Sequence, residues 1–438
     1  MPVITKLNPW TQEPLTEVPQ MGAADFIQAL QKVKQAQEIF KKTSFEQRAD
    51  LLRTWAEHVA NSQGLAALRI AEEQGLPVDF VRPEVVDAAQ KFIENLSLEL
   101  RLFPKPENLL PTGVLGVSIP WPMSYLYLSH VISQALAAGN GVIVKVSSLA
   151  PRSAQLLSET LSHAGVPEGL VQFLYGSGEE LNPLLAGHPG LRAFLYQGHY
   201  RHSARLLEAA LPTRKKLQFF LGGKNSSLIH PDFDFQSQIQ NVLRPALMGQ
   251  GQLGVNGHRF FVTQAHESQF FEVVIETLKQ MKVSRGPEDS SLWTPLISKS
   301  RKANFLKLRE QVASDQGKLV WGADEDEGLF AKPLVTRDMS NCSELQQEEV
   351  QGPLLIVTGV KYVHEMVKWT NTGYHGQSCL FWGPQEKAQG LLSQIQVGQG
   401  LNQRWGDFLS WQTPVKQSFY GIPDRKWSGP FYSEVKSQ

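Results

Sequence analysis

From Pro111 onward the chain alternates short apolar runs with segments of helical character, and this alternation constrains the fold more than any other feature. Val114–Ile119, Gly141–Val146, Val171–Leu174, Phe194–Tyr196 and Leu217–Leu221 have strand length and strand composition, and a helix is expected near Ser129–Ala138. Strands separated by helices cannot pair as hairpins, so the pattern predicts a parallel sheet with helices on both faces. A second series, from about Val242 to Val415, offers Phe260–Thr263, Leu319–Trp321, Leu354–Val357 and Ser378–Phe381 as strands. Two series need two cores, and 438 residues supply enough chain for both. The fold class is α/β.

The first third reads as helical. Phe26, Ala29, Leu30, Val33, Ala36 and Phe40 recur at three- and four-residue steps and form one apolar stripe. A second helix starts at Thr43 or Ser44, since Thr43/Glu46 and Ser44/Gln47 both have capping-box spacing, and it turns Leu52, Trp55, Ala56 and Val59 inward. A third is expected from about Leu65 to a stop at Gly75 and Pro77.

Charge and cysteine content exclude several functions. The 42 basic residues balance 42 acidic ones, so no overall field draws the chain to nucleic acid or anionic lipid. Two cysteines, Cys342 and Cys379, rule out a disulfide scaffold and a cysteine-based metal cluster. The most apolar stretch, Leu109 to Ala138, is interrupted by Pro111, Pro120 and Pro122 and makes a poor membrane span. The N-terminal residues contain no apolar core followed by a small-residue cleavage site, and a cytoplasmic location is the expectation.

The motifs that carry chemistry lie in one order along the chain. Thr16-Glu17-Val18-Pro19 precedes the Arg48 helix. Ala137-Ala138-Gly139-Asn140 leads into Val142-Ile143-Val144-Lys145. Gly165-Val166-Pro167-Glu168-Gly169 precedes Gly176-Ser177-Gly178 and His188-Pro189-Gly190. Leu221-Gly222-Gly223-Lys224-Asn225 is followed by Met248-Gly249-Gln250-Gly251-Gln252-Leu253-Gly254-Val255-Asn256-Gly257-His258-Arg259. Pro295-Leu296-Ile297-Ser298 and Glu348-Glu349-Val350-Gln351-Gly352-Pro353 complete the series. From Leu15 to Lys436 this order resembles the aldehyde dehydrogenase superfamily. The resemblance implies a Rossmann-like nucleotide-binding lobe over 1–230, a catalytic-type α/β lobe over 231–413, and a C-terminal oligomerisation segment over 414–438. The family's arm segment looks shortened near 99–112, where Phe103-Pro104-Lys105-Pro106 suits an irregular link better than a long hairpin.

Carried over position by position, the resemblance implies that the chemistry is missing. The family's nucleophilic cysteine corresponds to Gly254, which has no side chain to ionise. The carboxylate that activates water corresponds to Phe220, which cannot accept a proton. The oxyanion-binding Asn corresponds to Pro122, which has neither a side-chain donor nor an N–H. Loss of the nucleophile from such a unit costs on the order of 10⁶ in rate. Cys342 is the remaining candidate for a substitute nucleophile, while Cys379 in a strand reads as a small buried hydrophobe.

For the cofactor, NAD or NADP, the family's contacts fall on Lys145 and Glu349 (the two riboses), on the close-approach glycines Gly176 and Gly178, and on Gly198 and His199 at the pyrophosphate. Ser148, Asn182, His199 and Gln351 depart from the family pattern there and weaken the expectation of binding. His199 and His202 flank Arg201 without a carboxylate at helical spacing, so they read as surface histidines and not as metal ligands. The aromatic tail (Trp405, Phe408, Trp411, Phe419, Tyr420, Trp427, Phe431, Tyr432) reads as buried or as an interface. The function expected is a catalytically inactive aldehyde dehydrogenase-like protein with a binding, scaffolding or regulatory role. Its expected partners are a second copy, an active relative or an aldehyde-producing enzyme. The rival is a divergent NAD(P)-dependent aldehyde or semialdehyde dehydrogenase.

Overall fold

The computed structural model describes residues 2–103, 109–322, 327–403, 414–422 and 426–435. The chain forms two compact units: Met1–Gln74, Asp79–Leu221 and Tyr420–Gln438 make the first, and Gly75–Val78 with Gly222–Phe419 the second. The break falls after Leu221, earlier than the boundary expected at 230. The reason is that Asn225–Ile229 is a strand paired between Gly257–Thr263 and Ser378–Trp382 in the second unit's sheet. The C-terminal segment expected over 414–438 is divided: Tyr420–Gln438 belongs to the first unit and the residues before it to the second.

In the first unit a six-stranded sheet has the order Phe419–Gly421, Lys216–Phe220, Ala193–Gln197, Val114–Ser118, Gly141–Val146, Val171–Tyr175. The last five run parallel, and the chain winds outward from Val114–Ser118 first one way and then the other. That reversal is the doubly wound pattern, which opens a crevice at the carboxyl ends of the central strands. The helix Ala23–Phe40 lays Phe26, Leu30 and Val33 against Ile143, Leu174 and Phe194.

Two helices expected in this region are one. Phe45–Gln74 runs unbroken through Gly64, where the backbone keeps helical geometry with open space beside it, and it stops at Gly75 with φ +68. Its start matches the expectation, since Ser44 Oγ accepts from Gln47 N at 3.2 Å while Gln47 Oε1 accepts from Ser44 N at 2.8 Å. Of the expected irregular link, Pro104, Lys105 and Pro106 lie outside the described residues. Beyond it, Leu109–Pro111 pairs antiparallel with Ser433–Val435 in a small separate sheet.

The second unit's sheet has seven strands in the order Lys318–Trp321, Leu334–Arg337, Leu354–Val360, Gly257–Thr263, Asn225–Ile229, Ser378–Trp382, Gln399–Asn402. All neighbours are parallel except the first pair. One face buries Val242, Leu243, Phe260, Phe270 and Val357, and the other Leu228, Phe261, Met366 and Phe381. Asn225–Ile229, Leu334–Arg337 and Gln399–Asn402 escape a reading by hydrophobic runs because each carries polar residues among its apolar ones. Among the described residues no helix is long and apolar enough to cross a membrane.

Candidate functional site

In the second unit the helix Phe235–Leu247 ends in a loop that enters the strand Gly257–Thr263. Gly249, Gln250 and Gly251 take left-handed φ values of 60, 54 and 65. Gly251 has no alternative, since a Cβ there would sit 2.3 Å from the Gly352 carbonyl. Gln250 holds the same conformation with a side chain, a local cost of about 1 kcal/mol that the surroundings must offset.

Four side chains hold this loop. Asn256 Nδ2 donates to the carbonyls of Pro245 (2.7 Å) and Met248 (3.1 Å), and its Oδ1 accepts from Leu253 N at 2.6 Å. Gln252 Nε2 donates to Gly249 O at 2.9 Å while its Oε1 accepts from Ile297 N at 3.1 Å. His258 Nε2 meets Gly251 O at 3.1 Å. Asn225 Nδ2 reaches Gly254 O at 3.2 Å and Asn256 O at 3.1 Å, and its Oδ1 accepts from Ser378 N at 3.1 Å. Gly254 is the one residue between Gly249 and Arg259 with partial exposure. A Cβ built on it meets nothing within 4 Å, and its φ lies outside the left-handed region. The backbone would therefore accept a side chain at this point.

Charged groups are enclosed in the same unit. A Cβ on Gly222 would fall 2.2 Å from Glu349 Oε2, and one on Gly223 would fall 2.4 Å from Gln377 Oε1, so the two glycines leave room for those side chains. Packing around the Glu349 carboxyl pushes it up to about 7, against the opposing pull of its bond to Gln351 and of the nearby Arg301 and Lys224. Burial brings Lys224 down to about 7 and Arg259 to about 10. His258 falls to about 3 and stays neutral. Cys379 is buried with its thiol pushed up to about 12, as its reading as a small hydrophobe requires, whereas Cys342 is exposed.

In the first unit Lys145 is the penultimate residue of its strand, with burial lowering it to about 8. A Cβ on Gly178 would lie 3.5 Å from Lys145 Nζ and 3.2 Å from Asn182 Nδ2, so these three residues share one small space. Gly176 packs against Met21, whose carbonyl would be 2.3 Å from an added Cβ. Gly198 lies over the Tyr196 hydroxyl, also at 2.3 Å from an added Cβ. His199 caps the following turn: its Nδ1 accepts from Arg201 N at 3.2 Å and its ring stacks on Tyr200. Pro122 follows buried Trp121, and the next residue, Met123, is left-handed with its N–H donated to Gln74 Oε1 at 3.2 Å. Phe220 ends the strand Lys216–Phe220, half-buried.

The residues that hold the loop, Asn225, Gln252 and Asn256, were legible only as members of motifs. Glu73 had no signal at all. Its buried carboxyl accepts from Arg152 N (2.5 Å), Ser153 N (2.9 Å) and Ser153 Oγ (2.6 Å), capping the helix Pro151–His163 from a distant helix beside the buried Lys6. Among the described residues no three His, Cys, Asp or Glu side chains gather as metal ligands. In the aromatic tail Trp427, Phe431 and Tyr432 are core residues, Tyr420 is exposed, and Trp405, Phe408 and Trp411 lie outside the described residues.

Comparison with known proteins supports the resemblance over nearly the whole chain. The aldehyde dehydrogenase family matches residues 2–438. A 2-aminomuconic 6-semialdehyde dehydrogenase of a Pseudomonas species is 28% identical over 280 residues, covering 62% of this chain and 57% of that protein. The betaine aldehyde dehydrogenase of Bacillus subtilis is 25% identical over 454 residues, covering 98% of this chain and 92% of that protein. The crystal structure of an aldehyde dehydrogenase from Brucella melitensis shares the fold at a TM-score of 0.89 and 24% identity, over 99% of this chain and 93% of that one.

Proposed function

Since the chain belongs to the aldehyde dehydrogenase family, we propose that it is a member without the family's thiol chemistry, retained for binding, scaffolding or regulation. One observation carries this reading: the loop keeps its glycines and its Arg259, yet Gly254, in the nucleophile's place, offers no side chain. Phe220 and Pro122, in the places of the base and the oxyanion donor, supply neither a proton acceptor nor an N–H. The test is direct. Purified protein offered a broad panel of aldehydes and semialdehydes should form no NADH or NADPH, and sustained reduction with any of them would end the proposal.

The residues of the first unit fit a dinucleotide at one end only. Lys145 and Gly178 leave a cation beside a close-approach glycine, as ribose binding needs. At the other end, the His199 imidazole spends its acceptor on the Arg201 N–H, one of the donors a phosphate would use, and fills space with a ring. NAD or NADP is therefore held weakly or not at all. A dissociation constant of about 10 μM or tighter in calorimetry would overturn this.

The partner is a second copy of the chain or an active relative, joined through the small sheet of Leu109–Pro111 and Ser433–Val435, where Leu110 and Val435 stay exposed. The rival reading, an enzyme using Cys342, draws on the dehydrogenases matched along most of the chain and on the exposure of that thiol. Aldehyde protecting Cys342 from iodoacetamide would favour the rival; labelling unaffected by aldehyde would exclude it.

A further inference from the structure

One face of the second unit's sheet carries Arg259, Ser226 and Cys379 side by side, because Arg259 pairs with Ser226 and Ser226 with Cys379 in register across three parallel strands. Lys224 lies two residues before Ser226, the spacing that returns an extended chain to the same side. Its ammonium is close enough to Arg259 for the two charges to oppose each other. Lys224, Ser226 and Arg259 are 3%, 0% and 2% exposed. Lys224 Nζ, Ser226 Oγ and Arg259 Nε and Nη1 are enclosed without a hydrogen-bond partner among the described residues.

Among the described residues, the surroundings of Arg259 supply no carboxylate counter-charge. The Phe261 ring centroid lies 5.7 Å from Cζ, and a Cβ on Gly373 would fall 3.1 Å from one terminal nitrogen. Lys416, a further cation near Arg259, already donates to the carbonyls of Asn371 (2.7 Å) and Gly373 (3.0 Å). The acid-forming neighbour is Cys379, kept neutral by burial. Glu348 and Glu349 act on Lys224. A guanidinium keeps its charge at neutral pH, and a buried charge is retained where it is both paired and hydrogen-bonded. Water would satisfy these donors but would not offset the Arg259 charge.

We propose that Lys224, Ser226 and Arg259 form a buried site for a small singly charged anion, of the halide or bicarbonate class. The size follows from the packing: Lys224 Nζ, Ser226 Oγ and Arg259 Nε and Nη1 are enclosed, and Phe261 and Gly373 pack beside the guanidinium. Two cations near enough to oppose each other, with a hydroxyl in register beside one of them, form a donor set suited to an anion.

The test uses the whole unmutated chain, equilibrated in gluconate and then moved to chloride, bromide or bicarbonate at constant ionic strength. One of these small anions should raise the melting temperature by about 2 °C with saturation, and the most effective one identifies the occupant. Crystals soaked in bromide should show an anomalous peak within hydrogen-bond reach of Arg259. Ser226→Ala should weaken the anion effect by about tenfold while leaving the fold intact, and Arg259→Met should abolish it. If Arg259→Met does not fold, Ser226→Ala and the bromide peak decide. Equal melting in gluconate and in all small anions, with no bromide at Arg259, overturns the proposal. So does an anion effect unchanged in both variants, which would place the ion elsewhere.

Discussion

The side-chain amide of Asn225 donates to the main-chain carbonyl of Gly254 at 3.2 Å, joining the start of one strand to the loop before its neighbour. The same side chain reaches Asn256 O and accepts from Ser378 N, so three segments of the second unit meet on one residue. Buried amides with every polar atom used are costly to remove, since each partner is left unsatisfied. Asn225→Ala should therefore destabilise the unit by about 2–4 kcal/mol in denaturant unfolding. Hydrogen exchange should rise first across 249–256. A loss confined to global stability, with unchanged exchange in the loop, would contradict the role assigned to Asn225.

Gly254→Cys should be nearly neutral, within about 1 kcal/mol of the parent, because the added Cβ meets nothing within 4 Å and the backbone is not left-handed. The new thiol should react with iodoacetamide, located by peptide mass mapping. Aldehyde oxidation should stay at background, because Phe220 still offers no base for deacylation. A variant that unfolded would show the open space to be illusory.

Lys224 provides the pH test. Burial lowers it from its ordinary 10.5 to about 7. Below pH 7 both folded and unfolded chains hold the proton, and the cost of burying the charge is felt in full. Above 10.5 neither holds it. Between these limits the unfolded state binds more protons, so this group makes stability rise with pH. Lys224→Met removes that dependence. In gluconate the stability of the variant relative to the parent should fall by about 2–4 kcal/mol between pH 7 and pH 10. A difference independent of pH would mean that Lys224 keeps its proton in the folded state as it does in the unfolded one.

His199→Ser tests the cofactor reading. A smaller residue removes the stacked ring and frees the space before the turn at Tyr200. Calorimetry should show nucleotide affinity at least about tenfold higher than in the parent, the effect of about 1.4 kcal/mol. Unchanged absence of binding would place the obstruction elsewhere, with Asn182 beside Gly178 the next residue to replace.

Much of this protein was legible along the chain because it depends on local order. The alternation after Pro111 specified a parallel sheet, since helix-separated strands have no other way to pair. The Ser44/Gln47 spacing marked a helix start, and the motif order pointed to the family. Gly254, Phe220 and Pro122 are identities, so the proposal that rests on them can be framed without coordinates.

Tertiary structure decided whatever depends on residues distant in sequence. A separate helix is expected from about Leu65, but the packed helix Phe45–Gln74 runs through that point. Asn225–Ile229 had no continuous apolar run, yet it became a central strand because both its neighbours satisfy its backbone. The cap that Glu73 places on the helix at Pro151, the open space at Gly254 and the burial of Arg259 without a hydrogen-bond partner at Nε and Nη1 among the described residues have no signature in the sequence. Each arises when chain segments far apart converge and exclude water, and only then do the energies of burial and unmade hydrogen bonds exist.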